Sequence, residues 1–200
     1  VIGPFKDFFA RYKGALGVVL LLFMGLFKIA DQMLGVIAIP FYLDSGFTKT
    51  QIGAVSKLFG VWVGIAGAFI GGASVVRFGI ERTLFVGMVV GALSNLLFIL
   101  LSLFPANINI FVLVIGGENF AGGFLGTAAV AWLSSLVNQH YTATQYALFS
   151  SLVTLPGKLI GGLSGFMVTS IGYVGFFVFS TVSIFPALIL FMWLRKKVQN

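Results

Sequence analysis

Six stretches of this chain are apolar and long enough to cross a lipid bilayer, at about positions 15 to 43, 51 to 76, 83 to 104, 108 to 137, 145 to 170 and 173 to 194. A hydrocarbon core about 30 Å thick is crossed by about 20 apolar residues of helix. Inside lipid every backbone N–H and C=O must find its partner within the protein, which leaves only helices and closed barrels. A barrel would read as segments of about ten residues alternating in hydrophobicity, and none of these runs alternates. The expected fold is therefore an all-α integral membrane bundle of six transmembrane helices. With 59% hydrophobic and 8% charged residues, the chain lies outside the range of soluble domains. Its lack of cysteine excludes a disulfide framework and thiolate chemistry.

The connections at 44–50, 77–82, 105–107, 138–144 and Ile171-Gly172 are short, so successive spans should run antiparallel. Lys6, Arg11, Lys13, Arg77, Arg82, Arg195, Lys196 and Lys197 then fall at one end of the bundle, and Lys49 alone at the other. Basic residues in short loops are retained on the cytoplasmic side, which puts both termini there. The net charge of +7 thus reflects topology and calls for no nucleic-acid partner. Over residues 1–14, Phe5, Phe8, Phe9 and Tyr12 recur at i, i+3, i+4 and i+7 among Lys6, Arg11 and Lys13. That pattern predicts a cytoplasmic interfacial linker helix. It is followed by a transmembrane bundle over 15–194 and a basic tail over 195–200.

An internal repeat organises the six spans. Phe47-Thr48-Lys49-Thr50-Gln51 recurs as Tyr141-Thr142-Ala143-Thr144-Gln145, and Gly79 has a counterpart in Gly172. Each Thr-x-x-Gln has the spacing of a capping box at a helix start, although two independent caps would look the same. Repeats over about 15–104 and 108–194 hold three helices each, an odd number, so the second must be inverted relative to the first. A 3+3 inverted repeat is the plan of one half of a major facilitator fold, whose substrate site lies near the midplane. Gly60 and Gly64, Gly67 and Gly71, Gly122 and Gly126, and Gly157, Gly161 and Gly165 recur every four residues, as expected for close helix packing.

Five ionisable side chains, Lys28, Asp31, Lys57, Glu118 and Lys158, interrupt the spans. Each costs about 2.5 to 3.5 kcal/mol at a bilayer centre, so such residues face a protein interior or a water-filled cavity. At about 1.5 Å of rise per residue, Lys28 and Lys158 fall near the midplane, and Asp31, Glu118 and Lys57 roughly 5 to 10 Å toward the outer side. Lys28, Asp31 and Gln32 share one face of the first span at i, i+3 and i+4. Glu118 and Asn119 form a similar polar step on the fourth span. Lys28 could pair with Asp31 and Lys158 with Glu118 in mutual neutralisation; alternatively the layer serves a solute pathway. Lys57 has no acid left to pair with in this chain. Trp62, Trp132, Trp193 and Tyr42 could stack on a sugar, or belong to packing and interfacial belts. His140 stands alone in a loop without a companion metal ligand. No nucleophile triad, phosphate loop or paired-carboxylate pattern stands out, so neither an enzyme nor a metal site is expected.

Three segments together resemble one family. They are Gly46-Phe47-Thr48-Lys49-Thr50-Gln51-Ile52-Gly53 with Lys57, Glu118-Asn119-Phe120-Ala121-Gly122-Gly123 running into Gly126-Thr127-Ala128-Ala129, and Thr142-Ala143-Thr144-Gln145-Tyr146-Ala147-Leu148. They look like the anhydromuropeptide permease (AmpG) family of the major facilitator superfamily, and the similarity covers nearly the whole chain as that family's second six-helix half. The turn carrying Gly72, Arg77, Gly79 and Arg82 is similar to the superfamily's gating-loop motif, although Val76, Ile80 and Glu81 depart from it.

The resemblance implies proton-driven import of N-acetylglucosaminyl anhydro-N-acetylmuramyl peptides across a bacterial inner membrane for wall recycling. The energy source would be the proton gradient, with no cofactor. Lys28, Lys57 and Lys158 would then meet peptide carboxylates by charge-assisted hydrogen bonds, and Gln32, Asn95 and Asn119 would meet sugar hydroxyls or amides. Asp31 and Glu118, the acids of the layer, would couple the proton. Expected partners are this glycopeptide, membrane lipids and a preceding six-helix half of the same protein. An acetyl-coenzyme A or other organic-anion carrier is the alternative, and a membrane transferase or lipid scramblase a third reading with weaker support in the residues.

Overall fold

A computed structural model describes residues 2–138 and 142–198. The reading of His140 as a lone loop residue, and Tyr141 of the second repeat copy, lie outside the described residues. Ten α-helical segments and one π-helical turn follow one another: α1 (Ile2–Arg11), α2 (Ala15–Leu26), α3 (Ile29–Asp44), α4 (Lys49–Ala54), the π turn Val55–Gly60, α5 (Val61–Phe78), α6 (Ile80–Leu103), α7 (Ile108–Leu136), α8 (Thr142–Gly161), α9 (Ser164–Val182) and α10 (Ile184–Val198). Among the described residues there is no strand. Five stretches of the described residues are long and apolar enough to span a membrane: Ala15–Asp44, Lys49–Phe78, Ile80–Leu103, Ile108–Leu136 and Ser164–Lys196.

Contacts at the two ends bring the number of crossings to six. Tyr12, Glu81, Leu136 and Arg195 line one cavity, and Arg195 pairs with Glu81 at 3.6 Å, so these residues share the end rich in basic residues. Tyr173 donates its hydroxyl proton to Asp44, and the Ala106 N–H donates to Ser45 O at 2.8 Å; these mark the opposite end. Gln145 sits beside Asp7 and Arg11 at the basic end. The chain therefore crosses once between Gln145 and Tyr173 and returns once between Tyr173 and Arg195. Gly172 makes that reversal at φ 70 and ψ 173, a left-handed conformation a side chain would strain.

The repeats pair in a two-fold pattern. The second crossing packs on the fourth (α5 on α7) as the fifth packs on the first (α8 on α2 and α3). The third packs on the fourth (α6 on α7) as the sixth packs on the first (α10 on α2, α9 on α3), and α6 meets α9. Glycine makes both of the first contacts possible. A Cβ on Gly67 would lie 2.3 Å from Phe120 O, and one on Gly157 would lie 2.5 Å from the Gln32 Cβ. Gly60, Gly71 and Gly161 face the fourth or first crossing in the same way, as their spacing predicts. Gly122, Gly126 and Gly165 do not. A Cβ on any of them meets nothing within 4 Å, and it is Gly123 that lies against Gly64.

Several boundaries differ from those read in the sequence. The first span is not one helix: it is interrupted at Phe27 and Lys28, where Lys28 leaves helical geometry at φ −109 and ψ 5. The second span carries the π turn. The expected 77–82 loop shrinks to Gly79 at φ 86, because helical geometry runs to Phe78 and resumes at Ile80. Arg82 therefore stands in the first turn of α6. Similar interruptions fall at Gly162-Leu163 and at Ser183.

Both copies of the Thr-x-x-Gln motif stand at helix starts, with different surroundings. Thr48 forms the full capping box with Gln51. In the second copy the helix begins at Thr142, and Gln145 is buried against α1. Its Oε1 accepts from Arg11 at 3.1 Å and from the Asn138 N–H at 2.7 Å, while its Nε2 donates to Asp7 at 2.9 Å. Asn138 Nδ2 also donates to Asp7. The Gln145 hydrogen bond leads in holding the Asp7 carboxyl below its ordinary value against the desolvation that opposes it, and Asn138 and Arg11 add to the effect. One turn along, Phe8 is fully buried with its ring 5.2 Å from that of Phe149. The aromatic stripe of α1 thus buries Phe8 inside the bundle rather than lying wholly on a surface.

Candidate functional site

The residues of the polar layer sit where helices are interrupted or packed through glycine. Lys28 caps α3 at the break in the first crossing, and one turn on, Asp31 closes an ion pair with it at 3.6 Å. That pair is as expected from the i, i+3 spacing. The Asp31 side chain keeps 44% of its surface exposed, so the pair borders open space and is not sealed in the core. Asp31 also lines a cleft with Phe27, Gly91, Asn95 and Gly122. At about 10 Å³ this cleft holds roughly one water, too little for a sugar.

Glu118 does not pair with Lys158. Its Oε2 instead accepts from the Tyr42 hydroxyl at 3.0 Å, across the contact between α3 and α7. Glu118, Gly122 and Gly126 follow at four-residue steps, and the two glycines give onto open space, so the α7 face bearing Glu118 is unobstructed beyond it.

Lys57 lies inside the π turn, exposed and without an ion-pair partner among the described residues. Insertion of a π turn into an α-helix shifts the register of the side chains after it, and such turns recur at functional positions. One turn further, Gly60 admits Asn119, whose Nδ2 donates to Ile115 O at 2.8 Å. Lys158 is likewise exposed and unpaired among the described residues. It follows Gly157, the residue packed on Gln32. Asn95 is buried at 4% exposure, and its Nδ2 reaches Ser180 Oγ at 3.4 Å.

The structure thus pairs Lys28 with Asp31 and Glu118 with Tyr42, and sets Lys57 one turn before Gly60, the residue that lies against Asn119. Gln32 and Asn95 are partly spent on packing between helices. Tyr42 and the π turn were not singled out by the sequence as parts of this layer. Trp132 is buried edge-on to Phe23 and Phe27, which is packing, whereas Trp62 is 72% exposed. In the turn at the basic end, Arg77 lies over the Phe78 ring at 5.4 Å and Arg82 is exposed. Gly72 packs near Thr127, and the acid of this region is Glu81, held by Arg195.

Sequence comparison agrees with this architecture. Residues 20–199 match the model of the Major Facilitator Superfamily. "Putative transporter AmpG 4" of Rickettsia felis is 38% identical over 199 residues, which cover 100% of this chain and 47% of that protein. The AmpG 1 transporter of Rickettsia prowazekii is 33% identical over 182 residues, 91% of this chain and 41% of its own length. That of Rickettsia bellii is 30% identical over 183 residues, covering 92% and 45%. The chain spans about half the length of the curated relatives it matches. An all-helical bundle with spans of membrane length, two-fold pairing of its helices and a superfamily match over most of its length lead to one conclusion: this chain belongs to the major facilitator superfamily.

Proposed function

We propose that this chain forms half of a proton-coupled importer of anhydromuropeptides, with its basic end in the cytoplasm of a bacterial inner membrane. The observation that carries the reading is that Lys57 and Lys158, inside the apolar crossings, are exposed and make no ion pair among the described residues, in a bundle whose crossings also carry the carboxyls of Asp31 and Glu118. Unpaired cations at this depth are costly unless water or an anionic solute meets them. The stem peptide of a muropeptide carries carboxylates that a lysine ammonium binds by charge-assisted hydrogen bonds. Asp31 and Glu118 supply carboxyl groups able to take up and release a proton during the cycle. The Rickettsia relatives carry the name "Putative transporter AmpG", and the resemblance of this chain to that family implies the solute.

Because the cleft between Asp31 and Asn95 holds only about one water, the sugar must lie on the open side of the layer, between this chain and a second six-helix half. The exposed lysines would serve an organic anion such as acetyl-coenzyme A equally well, so competition is the deciding experiment. Labelled anhydromuropeptide should enter vesicles carrying the protein only when a proton gradient is imposed. Unlabelled muropeptide should compete and acetyl-coenzyme A should not. Competition by the coenzyme alone would replace this reading with the organic-anion one.

A further inference from the structure

The geometry points to Tyr42 as the positioning residue of Glu118: its hydroxyl holds the carboxylate in one orientation on the open face of α7. Tyr42 is 2% exposed and its ring is fixed on two sides, stacked on Phe98 at 5.9 Å and edge-on to Phe111 at 4.9 Å. A phenol clamped in this way has little rotational freedom, so the hydrogen bond it donates at 3.0 Å has a defined direction. Glu118 has no other hydrogen-bond partner and no ion pair among the described residues. Lys28 pairs with Asp31, and neither Lys57 nor Lys158 makes an ion pair with Glu118. The orientation of the acid therefore depends on one hydroxyl, delivered from the first crossing to the fourth.

Tyr42 stands two residues from Asp44, where a second phenol, that of Tyr173, donates to a carboxylate near the helix end. The two phenols are chemically alike but only Tyr42 reaches the polar layer, so Tyr173→Phe is the natural control.

This inference rests on the reading of Glu118 as a working acid of the transport cycle, and its test is separable from the question of the solute. In purified protein reconstituted in lipid, the infrared bands of the Glu118 carboxyl and carboxylate are assigned by their loss in Glu118→Gln. Tyr42→Phe keeps the ring and removes only the hydroxyl. It should shift those bands, since their frequency reports the donated hydrogen bond, while Tyr173→Phe leaves them in place. In the same vesicles, Tyr42→Phe should reduce gradient-driven muropeptide accumulation by about tenfold or more. Exchange of labelled for unlabelled solute without a gradient should stay within about twofold of wild type. A band shift in protein that carries no muropeptide would uphold the role of Tyr42 and remove only the solute assignment. Bands unmoved in Tyr42→Phe would overturn the inference, whatever happens to uptake.

Discussion

Glu118→Gln is expected to abolish uphill accumulation of solute while leaving downhill exchange largely intact. Gln has the shape of Glu, and its amide oxygen can still accept from Tyr42, so the contact between α3 and α7 survives. What is lost is the ability to carry a proton. If Glu118 couples the gradient to the solute, accumulation ratios should fall toward unity, a drop of about tenfold or more, equivalent to about 1.4 kcal/mol or more of coupling free energy. The proposal separates the two acids: Asp31, paired with Lys28, is expected to leave more residual accumulation when changed to Asn, because the exposed pair is open to water. Unchanged gradient-driven uptake by Glu118→Gln would remove Glu118 from the proton role.

The second large effect concerns packing. Gly123→Ala puts a Cβ 2.1 Å from Gly64 O and 2.9 Å from the Ala68 backbone nitrogen, both in a backbone that cannot give way without moving the second crossing. Forcing an extra methyl into such a contact costs about 1 to 3 kcal/mol. The matched control is Gly126→Ala, three residues along the same helix, where the added methyl meets nothing within 4 Å. That substitution should be neutral within about 0.5 kcal/mol. Thermal unfolding in detergent, followed by the monodisperse fraction, distinguishes the two. Equal behaviour of the variants would mean that the α5–α7 contact is looser than the structure has it.

The same glycines mark how far the sequence reaches. The pattern of four-residue spacing identified the close contacts of the second and fifth crossings correctly, because a helix interface needs small residues at that period. It misplaced Gly122, Gly126 and, at the end of the fifth crossing, Gly165, because spacing alone gives a stripe, not the side of the helix that meets a neighbour. The number of crossings was legible from hydropathy and length, since lipid leaves few alternatives. The break at Lys28 was not. Its neighbours Phe27 and Ile29 are ordinary helix residues, so nothing local in the sequence marks the interruption. The π turn around Lys57 was hidden for the same reason.

In the polar layer, the Lys28–Asp31 pair was readable as a local i, i+3 contact. Of the two alternatives open for Glu118, pairing with Lys158 does not occur: the fold delivers a neutral phenol from 76 positions away, a partner that charge matching does not find. Gln145 shows a similar limit. It is buried against Asp7 and Arg11 of α1, a contact that no local spacing encodes.

On the proposed function, the α7 face that bears Glu118 and the π turn around Lys57 border a water-filled site for an anionic glycopeptide. The chain contributes no native cysteine, so single cysteines introduced into it can be read without background from its own sequence. Ala54→Cys, one turn before Lys57, and Gly122→Cys, one turn after Glu118, probe that face; Leu93→Cys, exposed on an apolar part of α6, serves as reference. A membrane-impermeant thiol reagent should label the first two and not the third, and anhydromuropeptide should slow that labelling. Labelling of Leu93→Cys as fast as the others, or no protection by muropeptide at either site, would contradict the account.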